Sequence, residues 1–222
     1  MGTNDREAFV HAVHQSAQKP IMPHAHDSPP VKGEPGRANI KRPLSDHFID
    51  RAEATGMTVA RLGSMEEAAD AAQEYMADQG IVSALCWDTP ELRSFGEKLG
   101  DVELSWWAPS DPARKTHAFA MKCGITTVDY AVAETGSLVV CGTAEKGRSV
   151  TMLGEHHIAL VRADQILPDL YDLFPKLQAD HPNGLPASVS LITGPSKTAD
   201  IELQLVVGVH GPGAVHIILI EE

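Results

Sequence analysis

The chain has 222 residues, and its 18 Lys and Arg against 30 Asp and Glu give a formal net charge of -12, a balance that repels nucleic acid and anionic membrane surfaces. That length allows one large domain, or a domain with a peripheral arm, with ample chain to bury a core. No run of about 18 apolar residues occurs and the N-terminus lacks a basic-then-apolar signal pattern, so a cytoplasmic protein without a membrane span is expected.

Asn4 to Gln18 has helical character, with Phe9, Val10 and Val13 on roughly one side. From Lys19 to Pro43 six prolines and two glycines exclude a regular helix or a central strand. This stretch reads either as an extended arm on the surface or on a neighbouring subunit, which would make a homo-oligomer, or as a flexible linker. His24 and His26 read as a solvated pair. The expected division is 1–43, a helix and Pro-rich arm, and 44–222, the ordered domain.

Regular order begins at Leu44, where Ser45 or Asp46 is the expected cap of a helix closing at Gly56. Met57 to Leu62 is a strand candidate. Ser64 and Glu67 form a capping box for a helix running to Gly80. Ile81 to Cys86 is a continuous apolar run, as in a strand covered on both faces. Asp88-Thr89-Pro90-Glu91 caps a helix with Leu92, Phe95 and Leu99 inward, and Val102 to Trp107 is again extended. Asp111-Pro112 opens a helix through Met121 that stops at Gly124, and its Arg114, Lys115 and His117 read as a solvated face. This alternation predicts an α/β fold, a parallel sheet with helices on both sides. Cys86, Cys123 and Cys141 are odd in number and widely spaced, so they read as small buried hydrophobes.

Val128 to Cys141 reads as two strands joined by the polar turn Glu134-Thr135-Gly136-Ser137, which places one carboxylate at the tip of a buried strand. The loop from Gly142 to Ser149 holds Lys146 and Arg148 among small residues, a composition suited to an anion, without phosphate-loop spacing. Adjacent His156 and His157 in a strand must face opposite ways, so at most one serves a given site. Asp164 is the expected cap of a helix through Leu177 that Pro175 kinks or ends. Ser188 to Thr193 is a strand entering Gly194-Pro195-Ser196-Lys197-Thr198, whose backbone N–H groups can form an anion nest with Lys197 supplying charge. The same Ser/Thr/Asp chemistry also serves as an ordinary helix cap. Gly208 to Gly213 turns into the last strand, Val215 to Ile220, with His210 at the turn.

Five ordered motifs, Ala133–Val139, Glu155–Ile158, Ala163–Ile166, Thr193–Glu202 and Gly208–Pro212, resemble the LUD domain (DUF162) family and its short, LutC-like lactate-utilisation proteins. The resemblance covers roughly Leu44 to the C-terminus. It implies a three-layer NagB/RpiA/CoA-transferase-like α/β fold with a mainly parallel sheet, and a place in a bacterial operon that oxidises L-lactate to pyruvate. Iron–sulfur proteins are the implied partners, with no cofactor intrinsic to this chain. By analogy of fold, Glu134 is similar to the nucleophilic glutamate of CoA transferases. The expected site is one pocket on the carboxyl edge of the sheet, with Glu134 as candidate catalytic residue. A small anionic metabolite would be bound there by Thr135, Gly136, Ser137, Arg148, Gly194, Ser196, Lys197, Thr198, Asp200, Glu202 and His210. No metal ligands are expected. The alternatives are a free-standing enzyme of the sugar-phosphate isomerase or CoA-transferase-like class using Glu134, and a metabolite-sensing regulator.

Overall fold

The computed structural model describes residues 38–199, 205–208 and 210–222. The helix expected at Asn4–Gln18 and most of the arm lie outside them, and residues 38–43 carry neither helix nor strand.

In chain order the elements are α1 (Leu44–Thr55), β1 (Thr58–Leu62), α2 (Met65–Asp78), β2 (Ser83–Trp87), α3 (Pro90–Gly96), β3 (Glu103–Trp107), α4 (Arg114–Ala120) and β4 (Cys123–Thr127). There follow β5 (Tyr130–Val132), β6 (Ser137–Gly142), α5 (Ser149–Met152), β7 (His156–Arg162), β8 (Ile166–Leu167), α6 (Leu170–Asp180), β9 (Ser188–Ile192), β10 (Lys197–Ala199), β11 (Leu205–Val207) and β12 (Ala214–Ile220). Six strands make a sheet in the order β1-β12-β7-β4-β2-β3, and every neighbouring pair is parallel. Burial on both faces explains the continuous apolar run that leads into β2 and the largely apolar β12.

Helices cover the two faces. His156 meets Tyr75 of α2, while the next residue along β7, His157, points the other way. His157 shares a row with Gly124, over which α5 lies. Gly124 therefore belongs to a central strand rather than to a helix stop. A Cβ there would come within 1.8 Å of the Val150 carbonyl oxygen, so the missing side chain is what lets α5 approach.

The Val128–Cys141 hairpin forms as expected, with Ala131 opposite Leu138, but it belongs to a second sheet of order β8-β5-β6-β9. Its alternation explains how that sheet is sandwiched. Ala131, Ala133, Leu138 and Val140 join the main core. Tyr130, Val132, Val139 and Cys141 turn to the other face, against Leu173 and Leu177 of α6.

Two capping expectations are corrected. Helix α1 already begins at Leu44, after Pro43 and with no side-chain cap, so Ser45 and Asp46 stand inside its first turn, where Asp46 pairs with Arg61 at 2.6 Å. Asp164 sits in a short 3-10 turn, and the cap of α6 is buried Asp169, which accepts from the amides of Tyr171 and Asp172 at 2.9 and 3.1 Å. Pro175 lies inside α6, which continues to Asp180. Elsewhere Ser64 and Thr89 cap as expected, accepting from Glu67 and Leu92. All three cysteines are buried and free, with Cys86 and Cys123 pushed up to about 12 by burial.

Candidate functional site

The first turn follows β5. Its amide at Glu134 donates to the Pro168 carbonyl at 3.0 Å, and Gly136 takes a φ of 65°, a conformation that costs an L side chain strain. The second turn follows β9, which pairs antiparallel with β6 and so returns Thr193 beside Ser137. Thr135 Oγ1, Ser137 Oγ and Thr193 Oγ1 form a chain of hydroxyls spaced 2.7 Å and 2.7 Å apart.

Both turns rest on the C-terminal part of α1. A Cβ at Gly136 would lie 2.4 Å from the Ala52 nitrogen, and one at Gly194, where φ is 101°, would lie 2.9 Å from the Thr55 oxygen. Ala52 and Thr55 are about one helical turn apart, so the two turns lie side by side along one helix. Lys197 donates to the Thr55 carbonyl at 2.8 Å, satisfying one of the orphan acceptors at the end of α1. An ammonium has three N–H donors, so two remain for a ligand. The Glu134 carboxylate is half-buried and makes no hydrogen bond or ion pair with a described residue. It does act on His47 of α1, whose pKa burial and Arg42 lower while Glu134 opposes them.

The pairing of the turns differs from expectation in its place on the fold. Ser196 donates from its amide to Pro212 just ahead of β12, and Gly194 contacts Thr55 just ahead of β1, so this loop sits at the amino edge of the parallel sheet. The expected carboxyl edge is corrected accordingly. Arg148 does not join the turns. It follows β6 whereas Glu134 precedes it, and that strand separates them by roughly 17 Å at the usual rise per residue. His210 is exposed on a neighbouring loop tied in by the Gly208 amide, which donates to the Ser196 carbonyl at 2.9 Å. It lines a separate cleft of about 360 Å³ with Glu155, Gly154 and Phe119. Thr198 lies in β10, and Asp200 and Glu202 lie outside the described residues.

Sequence reasoning missed a polar cluster at the same amino edge. Tyr75 Oη lies 3.0 Å from His156 Nδ1, its ring stacks on His216 at 4.1 Å, and His216 Nδ1 meets Thr58 Oγ1 at 2.8 Å. Burial pushes His216 down to about 4 and lowers His156, so both imidazoles are neutral near pH 7. The partners lie 81 and 158 positions apart in sequence, beyond any local pattern. Across the sheet, His157 is fully buried and its pKa is pushed to about 4 by burial, with Nε2 on Thr126 and Nδ1 without a partner among the described residues.

The chain is similar to several known proteins. Escherichia coli YkgG is 31% identical over 229 residues, covering 99% of both chains. The Lactate utilization protein C of Halalkalibacterium halodurans is 31% identical over 76% of this chain and 74% of its own. Lactate utilization protein C 1 of Bacillus mycoides reaches 40% over 59% of this chain and 57% of its own. A crystal structure of a DUF162 family protein from Deinococcus radiodurans superposes with a TM-score of 0.60 at 19% identity, over 80% of this chain and 96% of that one, which shows a common fold. The family model of the LUD domain matches residues 45–220, about four fifths of the chain, and the chain belongs to the LUD domain family.

Proposed function

We propose that this chain is a subunit of a bacterial L-lactate utilisation system, working with iron–sulfur partner proteins that oxidise L-lactate to pyruvate. The observation that carries the reading is the similarity to Lactate utilization protein C over about three quarters of both chains. The redox chemistry is assigned to the partners because the three cysteines of this chain, Cys86, Cys123 and Cys141, are widely spaced and form no ferredoxin-type run, whereas a cluster is typically held by four cysteine thiolates.

This chain's own share is to hold a small anion where the two turns meet. The hydroxyls of Thr135, Ser137 and Thr193 supply hydrogen bonds, and the two free N–H groups of Lys197 supply charge. Affinity capture of the full chain from cells grown on L-lactate tests the reading. Iron–sulfur proteins and L-lactate oxidation should be recovered together, while the isolated chain should show no lactate dehydrogenase activity. Recovery of the chain alone, with no oxidation in the eluate, would overturn it.

One observation favours a second reading, in which Glu134 reacts with a substrate: its carboxylate is free of hydrogen bonds to described residues at a half-buried turn. Glu134→Gln should then abolish turnover of an acyl thioester or sugar phosphate while leaving the unfolding midpoint unchanged. Equal turnover in the two proteins would exclude that role.

A further inference from the structure

Open parallel sheets bind ligands outside the carboxyl ends of their strands, in the crevice where the strand order reverses. In the order β1-β12-β7-β4-β2-β3, the chain leaves β2 for β3 on one side and leaves β4 toward β7 on the other, so the crevice lies between β2 and β4. Trp87 ends β2, Trp107 ends β3, and Asp129 stands just beyond β4. The loop 142–148 runs across these ends and is built into place there.

The Trp107 indole donates to the Ala144 carbonyl at 2.9 Å, and the Trp87 indole to the Gly147 carbonyl at 3.0 Å. A Cβ at Gly147 would fall 2.2 Å from the Trp107 ring, so the backbone lies directly on the indole. In a trans peptide the N–H points opposite to the carbonyl. With the carbonyls of Ala144 and Gly147 turned to the tryptophans, the amides of Glu145 and Arg148 face away from them. Lys146 is fixed as well, its Nζ 2.8 Å from Asp129 Oδ1 and 5.5 Å from the Trp87 ring centroid. The other Asp129 oxygen accepts the Cys141 amide at 2.7 Å, which locks the carboxylate. Arg148 is exposed, and its guanidinium has no partner among the described residues. Lys146 and Arg148 line a cavity of about 300 Å³ with Gly142, Thr143, Ala144 and Ser188.

We propose that this loop is a second anion site, separate from the paired turns, that takes the phosphate or carboxylate group of a small metabolite. Arg148 is its uncompensated charge, and Lys146 is a donor oriented by Asp129. The rigid backbone matters because donors fixed before binding lose little entropy when a ligand arrives. The size of the cavity suits a small metabolite, at the lower end of ligand pockets. The sequence singled out Lys146 and Arg148 for an anion, and the strand topology explains why they stand where a ligand is expected.

The test is titration of the full-length, 15N-labelled chain with inorganic phosphate and, in a separate arm, with L-lactate. Saturable amide shifts at 143–148 in either arm support the site, and the arm that saturates identifies the group it takes. Arg148→Ala should weaken binding about ten-fold or more, Arg148→Lys should weaken it less, and Lys98→Ala, an exposed cation in the turn after α3, should leave it unchanged. Shifts in neither arm at 143–148, or equal affinity in the native chain and Arg148→Ala, would overturn the proposal.

Discussion

Gly136 and Gly80 both hold positive φ, 65° and 63°, yet they differ in what surrounds them. A side chain at Gly80 meets nothing within 4 Å, so Gly80→Ala should cost only the backbone strain, about 1 kcal/mol. Gly136→Ala adds a collision with the backbone of α1, 2.4 Å from the Ala52 nitrogen, and should cost more than about 3 kcal/mol. Urea unfolding of the two variants distinguishes strain alone from strain with a clash. Equal losses would mean that the turn does not press on α1.

The buried histidines set an acid limit at the same scale. Burial lowers the pKa of His157 and of His216 from the ordinary imidazole value of 6.5 to about 4. The folded state therefore binds fewer protons than the unfolded chain between those values, and stability falls as pH drops from 6.5 toward 4. At pH 5 each histidine should remove on the order of 2 kcal/mol relative to neutral pH. Unfolding free energies at pH 7.5 and pH 5 measure the slope, and His157→Gln should flatten it. A slope unchanged by His157→Gln would contradict the assignment.

Among the elements, α6 shows where a carboxylate matters. Asp169 is 1% exposed and holds the amides of Tyr171 and Asp172 together with that of Ala38 at 3.2 Å. Asp169→Ala should cost about 2 kcal/mol, whereas Asp164→Ala, which removes an exposed pair with Arg162, should cost less than about 0.5 kcal/mol. Thermal unfolding checks the order, and a reversed order would return the cap to Asp164. The error in reading this cap has a physical cause. Both aspartates precede helix-compatible residues, and only the pairing of Ile166 and Leu167 with β5 moves the helix start beyond Asp169.

Strands with strong alternation or full apolarity were legible in the sequence, as were Ser64 and Thr89, whose capping partners are local. Strand β4 was not legible because Gly124 looks like a helix stop until Val150 is seen resting on it. The site was legible in part. Distant turns were expected to meet and Ser137 does meet Thr193, but membership of a second sheet places the Gly194 loop at the amino edge and leaves Arg148 at the far end of β6.

At the scale of the molecule, two layers share one hairpin. Strand β6 carries the paired turns at one end and the tryptophan-bound loop at the other, so the two candidate anion sites are joined by six residues of continuous strand. The wider role rests on kinship with the lactate utilisation proteins. Its most direct test is the growth rate on L-lactate as sole carbon source after deletion of this gene from its host, with restoration by the native chain. Growth should fail on L-lactate, persist on pyruvate and return on complementation; normal growth of the deletion strain on L-lactate would contradict the role.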